Sequence, residues 1–353
     1  GSIASIIGTD AGTLTKSGNG TWALSGINTY SGSTTIEAGT LSISNDLNLG
    51  ALPSVATAAS ITLNGGTLLN TASSLTLDSK RGITLGSNSG ALATATGTSL
   101  TYGGVITSAA AYGLTLGSAT NSGTLVLSGS NTYSGGTTIA AGALNVSNVN
   151  ALGGASNAIS INGTGSLLLG FSLSNNLTIA GSGIGSSGAI QTTTNPVTLS
   201  GNISLSGDAL ITHSGDLTIS GGIDGNYGLT LSSTGTGNLV LSGAVGANTN
   251  LASLTTTRTG TQSLTLSGGS ISTAGLQNYG HDVLIDSATS LSTSNGAVSV
   301  SGTLDSANST ARSISVSAGT GVVTFSGAVG SLHPLDSLSI TSTGGINLNT
   351  AVN

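Results

Sequence analysis

The chain has 353 residues, only 5% of them charged, and its formal net charge is −6. Its basic residues are too few and too scattered to form the cationic track that phosphate backbones require. They are Lys16, Lys80, Arg81, Arg258 and Arg312. No apolar run approaches the roughly 20 residues that cross a bilayer. Composition therefore argues against nucleic acid as a partner and against membrane insertion by this segment.

Ser and Thr dominate the composition, Gly is also abundant, and Cys and Met are absent. Ser, Thr, Gly and Asn are weak helix formers, whereas the 37% of apolar residues is enough to build a core. Without Cys there is no disulfide framework, so a long repetitive core must supply the stability. Without Met, Gly1 is not a translational start, and we expect a mature form or a fragment.

Two long internal repeats organise the chain. The segment GTWALSGINTYSGSTTIEAGTLSISN at 20–45 returns as GTLVLSGSNTYSGGTTIAAGALNVSN at 123–148, and TGNLVLSGAVGANTNLASL at 236–254 returns as TGVVTFSGAVGSLHPLDSL at 320–338. In both pairs, the offset between the two copies is close to a whole multiple of one shorter length. This arithmetic predicts an all-β solenoid with about 20–21 residues per coil.

Apolar residues separated by one polar residue mark the predicted strands. Such pairs are Leu41/Ile43, Ile61/Leu63, Leu177/Ile179, Val197/Leu199, Leu217/Ile219 and Leu239/Leu241. This alternation puts the apolar side chains on one face and Ser or Thr on the other, as in a half-buried strand. Possible hairpin turns at Asn64-Gly65 and Asn162-Gly163 leave an antiparallel sandwich as the alternative.

The repeats predict three regions in one continuous rod. We expect a β-solenoid over 1–160, irregular bridging coils over 161–210, and a second β-solenoid over 211–353 that ends within a repeat. An uncapped coil presents unpaired backbone groups along a strand. We therefore expect either further coils in the natural chain or copies of the chain stacked end to end.

The repeats at 20–45 and 123–148, with their L-S-G-x-N-T-Y-S-G-x-T-T-I pattern, resemble the passenger-associated repeat of bacterial autotransporters. The C-terminal repeats, with V-x-x-S-G-A-V-G, resemble those of filamentous-haemagglutinin-like adhesins. The resemblance implies a right-handed parallel β-helix that is exported unfolded and displayed on, or released from, a bacterial surface. It therefore implies an extracellular or cell-surface location.

No residue emerges as a catalytic, metal-binding or cofactor-binding group. His213, His281 and His333 lie too far apart in sequence for a zinc pair, and each is predicted at the surface. His213 with Asp216, and His281 with Asp282 and Asp286, lack a nucleophile motif.

Three other motifs are interpreted as structural. The G-x-G-x-x-G match at 183–188 is followed by AIQTTTNPV rather than by a helix, so it predicts a corner. Asp224, near Asn226, is predicted to shape a turn. Tyr30 and Tyr133, beside Asn28 and Asn131, are predicted to pack corners, with glycan stacking as the alternative.

The leading functional prediction is a non-enzymatic structural segment of a surface fibre or adhesin, a rigid polar rod for attachment or fibre assembly. Its predicted partners are neighbouring copies or repeats, with surface glycans as further candidates. The alternatives are an ice- or glycan-binding β-helix, suggested by the threonines at 192–194 and 255–257, and a β-helix enzyme that degrades polysaccharides. The threonine pairs do not keep one phase along the sequence, which argues against an ice-binding array.

Overall fold

The computed structural model describes residues 1–349, which form strands and turns with almost no helix. The chain divides into two compact units, Gly1–Leu168 and Leu169–Asn353. The fold is a parallel β-solenoid of about 15 turns with about 23 residues per coil. This confirms the fold class that the sequence predicted. The hand of the coil stays a prediction. Within the described range, no helix is long and apolar enough to cross a membrane.

Unit 1 holds the first sixteen strands, of which the last extends one residue into unit 2, and one 3₁₀ turn, Asp46–Leu49. The strands are β1 Ser2–Ile3, β2 Leu14–Lys16, β3 Thr21–Leu24, β4 Thr34–Ile36, β5 Thr40–Ile43, β6 Thr57–Leu63, β7 Thr67–Asn70, β8 Ser74–Leu77, β9 Arg81–Leu85, β10 Gly90–Thr94, β11 Ser99–Tyr102, β12 Ile106–Ser108, β13 Leu114–Leu116, β14 Thr124–Leu127, β15 Thr137–Val146 and β16 Ile159–Leu169.

These strands stack in parallel on three faces of the coil. One ladder runs β1–β3–β5–β7–β10–β13–β15, a second runs β2–β4–β6–β9–β12, and a third runs β8–β11–β14–β15. The inward side chains form aliphatic files, such as Ile36–Leu63–Leu85, that are at most 1% exposed. Burial of these files is the main source of stability in a fold without disulfides.

Unit 2 holds twenty strands and a second 3₁₀ turn, Ile184–Ser186. The strands are β17 Leu177–Gly181, β18 Ile190–Thr192, β19 Val197–Leu199, β20 Ile203–His213, β21 Leu217–Ile219, β22 Ile223–Asp224, β23 Gly228–Ser233, β24 Leu239–Leu241, β25 Ser253–Arg258, β26 Ser263–Leu266, β27 Ser270–Thr273, β28 Gln277–Tyr279, β29 Asp282–Ile285, β30 Thr289–Thr293, β31 Val298–Val300, β32 Leu304–Ser306, β33 Ser313–Gly319, β34 Val323–Phe325, β35 Ser337–Ser342 and β36 Ile346–Leu348.

Unit 2 also has three parallel ladders. They run β18–β20–β23–β25–β28–β31–β34–β36, β19–β21–β24–β26–β29–β32 and β27–β30–β33–β35. Every strand pairing described is parallel, and the antiparallel sandwich is therefore wrong. The antiparallel contact within residues 1–349 is an isolated bridge between Ser118 and Asn121.

The coils vary in length, and their average is slightly longer than the sequence period predicted. Thr21 pairs with Thr40, and Thr40 pairs with Thr67, so the second of these two coils is clearly the longer. The hydrogen-bond ladder keeps the strands in register, and the corner loops absorb the difference. Lengthening a loop costs little closure entropy, so such variation is tolerated.

The long repeats are not whole numbers of coils. In the first copy of the unit 1 repeat, β3 belongs to the ladder that continues through β5, β7, β10 and β13. Its counterpart in the second copy is β14, which belongs to the ladder of β8 and β11 on another face of the coil. In unit 2 the ladder from β24 passes through β26 and β29 to β32, but the second copy of β24 is β34, in a different ladder. The similar chemistry of the three faces allows a repeat to begin on any of them.

The apolar pairs of the sequence recur about one coil length apart, but only some of the pairs separated by this distance lie on adjacent strands. Val197, Leu217 and Leu239 stack directly above one another. By contrast, Leu41 pairs with Leu68, and Ile61 pairs with Thr34 and Ile83. A spacing close to one coil length therefore does not by itself identify stacked strands. The division into 1–160, 161–210 and 211–353 and the continuous rod stay predictions.

Glycines at one corner of unit 2 let the backbones of successive coils touch. After β19, β21, β24 and β26 the chain turns at Ser-Gly, and the glycines Gly201, Gly221, Gly243 and Gly268 form a file. A Cβ on each of the last three would overlap the carbonyl oxygen of the glycine in the preceding coil. Glycine is required there for close approach rather than for a left-handed φ.

Candidate functional site

The outer face of unit 1 carries a single file of threonines along the ladder β2–β4–β6–β9–β12. The file is Thr15–Thr35–Thr62–Thr84–Thr107. Adjacent members are separated by the strand spacing of about 4.8 Å. Thr132, in the following loop, donates from its Oγ1 to Thr107 Oγ1 at 3.0 Å and extends the file. Sequence reasoning missed this file because its members are unevenly spaced along the chain.

The outer face of the ladder β27–β30–β33–β35 carries two parallel files of hydroxyls. They are Ser270–Ser290–Ser315–Ser339 and Ser272–Ser292–Ser317–Thr341. All eight side chains are exposed or half-buried, and none of the positions carries a charge. The two files form a regular, neutral lattice of hydrogen-bond donors and acceptors. The sequence analysis considered threonine pairs and did not anticipate these serine files, which strand register rather than sequence spacing aligns.

The threonines that suggested an array in the sequence do not form one. Thr192 is 7% exposed, and its Oγ1 has no hydrogen-bond partner within residues 1–349. Thr256 is fully buried between the half-buried Thr255 and the exposed Thr257. Consecutive residues of a strand point to opposite faces, so a run of threonines cannot present a single flat surface.

Tyr30 and Tyr133 pack inside the coil corners, where a sugar cannot stack on them. They are 1% and 0% exposed, and their hydroxyls contact Thr34 Oγ1 at 2.8 Å and Thr137 Oγ1 at 2.5 Å. Burial raises the pKa of Tyr133 to about 12, and the hydrogen bond to Thr137 opposes this shift. Both tyrosines therefore act in packing.

Asn28 and Asn131 tie three successive coils together. Asn28 Oδ1 accepts from the Ile7 amide at 2.8 Å, and its Nδ2 donates to the carbonyl of Asn48 at 2.6 Å. Asn131 makes the equivalent bonds, accepting from the Ile106 amide at 2.7 Å and donating to the Ala151 carbonyl at 2.6 Å. The identical context of the two repeats therefore reflects a shared structural role.

Two basic residues are buried in unit 1, which the sequence did not predict. Lys16 donates to the carbonyls of Ser17 and Ala38, each at 3.0 Å, and to that of Gly18 at 2.5 Å. Its Nζ also lies 5.4 Å from the centre of the Trp22 ring, within range of a cation–π interaction. The period-2 alternation after Leu14 could have indicated that Lys16 points inward.

Arg81 is 2% exposed and forms an ion pair with Asp46, with Nε 2.9 Å from Oδ1. It also donates to the carbonyls of Leu49 at 3.0 Å and Gly50 at 2.7 Å. Burial raises the pKa of Asp46, and the Arg81 guanidinium opposes that shift. The guanidinium thus links β9 to the 3₁₀ turn Asp46–Leu49.

His213 and His281 are not surface residues, so that expectation is wrong. They are 1% and 0% exposed, and both contact the hydroxyl of Ser233, which is also fully buried. The alternation could have shown this, because His213 follows the buried Ile211 by two residues and His281 follows the buried Tyr279. His333 is half-buried and lies in a loop outside this cluster.

The Ser233 contact with two imidazoles does not form an accessible catalytic arrangement. Its three side chains are sealed in the interior of unit 2, where no substrate can reach the hydroxyl. Asp216 and Asp286 are not hydrogen-bonded to either ring, and Asp282 pairs with Arg258 at 2.6 Å. The combinations that the sequence analysis considered and set aside, His213 with Asp216 and His281 with Asp282 and Asp286, therefore do not assemble as acid–base partners.

The remaining motifs shape turns. Gly183–Gly188 contains the 3₁₀ turn and is followed by β18, so no helix N-terminus is present to hold a phosphate. Asp224 accepts from the amides of Asn248 at 2.8 Å and Thr249 at 3.0 Å, and these bonds lower its pKa against the opposing effect of burial. Across residues 1–349, no group of three His, Cys, Asp or Glu side chains is placed to hold a metal ion.

Comparison with known families supports the repeats of unit 1. The model of the passenger-associated-transport repeat matches residues 14–43 and 118–146. This repeat is typical of secreted or surface-exposed proteins and does not define an enzyme family. No curated protein and no solved structure matched the chain. The likeness of the C-terminal repeats to filamentous-haemagglutinin-like adhesins stays a prediction. The chain therefore carries two passenger-associated-transport repeats within a parallel β-solenoid.

Proposed function

We propose that this chain is a non-enzymatic structural segment of a secreted bacterial surface fibre or adhesin. Its outer faces attach weakly and repeatedly to neutral surface glycans. The observation that carries the proposal is the pair of hydroxyl surfaces, one file in unit 1 and two files in unit 2, whose positions bear no charge. The passenger-associated-transport repeats support the surface location.

The hydroxyl files suit a neutral, polyhydroxylated ligand. Each Ser or Thr hydroxyl donates one hydrogen bond and accepts others, as sugar hydroxyls do. Replacing one hydrogen bond to water by one hydrogen bond to a sugar gains little binding free energy. A file, however, repeats the same contact in successive coils of one scaffold. Multiplicity then raises the overall affinity without a deep pocket. A neutral ligand also requires no cationic side chains, and this chain has only five basic residues.

Binding of the purified chain, coupled to beads, to immobilised neutral polysaccharides tests this proposal. Thr62→Lys with Thr84→Lys places charges within the unit 1 file and should reduce retention at least about tenfold, since each bound coil contributes to avidity. The matched control, Thr96→Lys with Thr120→Lys, changes two exposed loop threonines outside the file. Absence of binding, or equal loss in both variants, would refute the glycan proposal.

The surface location is tested separately on the source bacterium. Antibodies raised against the purified chain should label intact cells or their culture medium, and protease added outside the cells should remove the cell-bound signal. Labelling that requires permeabilised cells would contradict the proposal. This result is independent of the glycan assay, so the location and the ligand can fail separately.

A second candidate, binding to an ice surface, is favoured by the two files on β27–β30–β33–β35. A regular array of hydroxyls is one feature that such binding requires, and here the strand register supplies it. Thermal hysteresis of the purified chain tests it. Activity that is lost in Ser315→Lys and kept in Thr310→Lys, an exposed loop control, would rank this function first. Absence of hysteresis would eliminate it.

We also propose that copies of the chain stack end to end through β36. Ile346 and Leu348 are 45% and 46% exposed, although their neighbours in the ladder, Val323 and Phe325, are buried. A strand with exposed apolar residues and unpaired backbone groups favours pairing with a further strand, whether from the same chain or from another copy. Sedimentation should show concentration-dependent assembly that Ile346→Lys with Leu348→Lys abolishes. Leu332→Lys, at a loop residue 71% exposed, is the control, and a monomer at every concentration would refute stacking.

A further inference from the structure

Three coils of unit 2 meet at one buried hydroxyl. His213 ends β20, Ser233 ends β23 directly above it, and His281 follows β28, two coils beyond Ser233. Ser233 Oγ lies 2.7 Å from His213 Nε2 and 2.8 Å from His281 Nε2. His281 Nδ1 lies 3.0 Å from the hydroxyl of Thr256, which belongs to the intervening strand β25.

The partners determine where every proton in this cluster lies. His213 Nδ1 lies 2.9 Å from the carbonyl oxygen of Gly215, which can only accept, so the proton of this ring is on Nδ1. His213 Nε2 then accepts from the Ser233 hydroxyl. Because that hydroxyl has one proton, Ser233 Oγ must accept from His281 Nε2–H. His281 Nδ1 is then bare and accepts from Thr256.

The result is one continuous chain of hydrogen bonds in a single direction. It runs from the Thr256 hydroxyl to His281, from His281 to Ser233, from Ser233 to His213, and from His213 to the Gly215 carbonyl. Each group is satisfied only while both imidazoles are neutral, and the two rings hold opposite tautomers. Buried polar networks of this kind stabilise a fold when complete and destabilise it when one member changes.

The charged groups around the cluster lie on several elements. Asp216, in the turn after β20, faces His213, while Arg258 of β25 and Asp282 of β29 face His281 and pair with each other at 2.6 Å. Burial dominates over these charges and lowers the pKa of His213. Burial, together with the Arg258 charge and His213, lowers the pKa of His281 to about 4, and Asp282 opposes the shift.

We propose that the Thr256–His281–Ser233–His213 chain is an acid-sensitive lock on unit 2, which holds the coils from β20 to β29 closed while both rings are neutral. A second proton on His213 would be on Nε2 and would point at the Ser233 hydroxyl. The proton of that hydroxyl would then have no acceptor within the row of hydrogen bonds. A second proton on His281 would be on Nδ1 and would reverse the Thr256 bond. Either change leaves a charged ring in the interior, so acid favours opening.

Unit 1 provides an internal control, because all three histidines of the chain lie in unit 2. Hydrogen exchange of the full chain, corrected for the intrinsic pH dependence of the rates, should therefore differ between the units. Between pH 8 and pH 5, the opening equilibrium of peptides covering β20, β23 and β28 should rise about 30-fold from the shift of His281 alone. Unit 1 peptides should not change comparably. An equal response in both units, or none, would overturn the lock.

His281→Gln removes one titrating ring but keeps an amide that can donate to Ser233. It should weaken the acid response, whereas His333→Gln, outside the cluster, should leave the response intact. If His281→Gln does not fold, the unaltered chain still decides the question by NMR of labelled histidine. His213 should be a fixed Nδ1–H tautomer and His281 a fixed Nε2–H tautomer, with neither titrating near 6.5. Both rings titrating like free imidazoles would refute the proposal.

Discussion

Gly221→Ala should destabilise unit 2 severely, because the backbones of successive coils touch at this corner. A Cβ on Gly221 would overlap the carbonyl oxygen of Gly201 in the coil before it. That oxygen belongs to backbone, which cannot rotate aside as a side chain can. Gly243 packs on the opposite side in the same way, which leaves no direction for relaxation. Since overpacking in a close-packed region costs 1–3 kcal/mol, we expect about 3 kcal/mol here.

Gly222→Ala is the matched control, one residue away in the same corner. Its nearest neighbours would be Asn202 Oδ1 at 3.6 Å and the Ala244 carbonyl at 3.8 Å, which are ordinary contacts. We expect this variant to unfold within about 1 kcal/mol of the parent, with a small gain from the stiffer unfolded chain. Urea unfolding followed by circular dichroism compares the two. Equal midpoints for both variants would show that the coils do not touch at Gly221.

Three further outcomes are expected. Tyr133→Phe leaves the buried Thr137 hydroxyl without its partner and should lower the free energy of unfolding by about 1–2 kcal/mol. An unchanged midpoint of urea unfolding would contradict the hydrogen bond between Tyr133 and Thr137. Arg81→Met should lower the free energy of unfolding by about 3–5 kcal/mol, because it leaves the buried carboxylate of Asp46 without its partner. Arg258→Met, at the more exposed pair with Asp282, should lower it by about 1 kcal/mol or less. The opposite order of the two variants in thermal unfolding would be inconsistent with the burial of the two pairs. The unfolded chain binds a proton on His281 at higher pH than the folded chain, so the contribution of His281 to stability should be complete above pH 6.5 and fall by about 3 kcal/mol towards pH 4. Denaturation midpoints independent of pH across this window would be incompatible with the burial of His281.

The sequence by itself determined the class of structure. Alternating apolar and polar residues predicted the strands, and the repeat period predicted that they wind into coils; the stacked triplets at Val197, Leu217 and Leu239 confirm both. Likewise, the repeated context of Tyr30 and Tyr133 was enough to place both in corners. These features are local, since a strand's alternation and a corner's packing depend on residues within one repeat.

Only the tertiary structure decided which residues meet between coils. The ladders align strands by hydrogen bonding, while the corner loops between them change length at little cost, so distance along the chain does not give the register. For this reason the hydroxyl files, whose members are unevenly spaced along the chain, are invisible in the sequence. His213 and His281 likewise share the Ser233 hydroxyl although they lie far apart in sequence, because the intervening coils return the chain to the same corner.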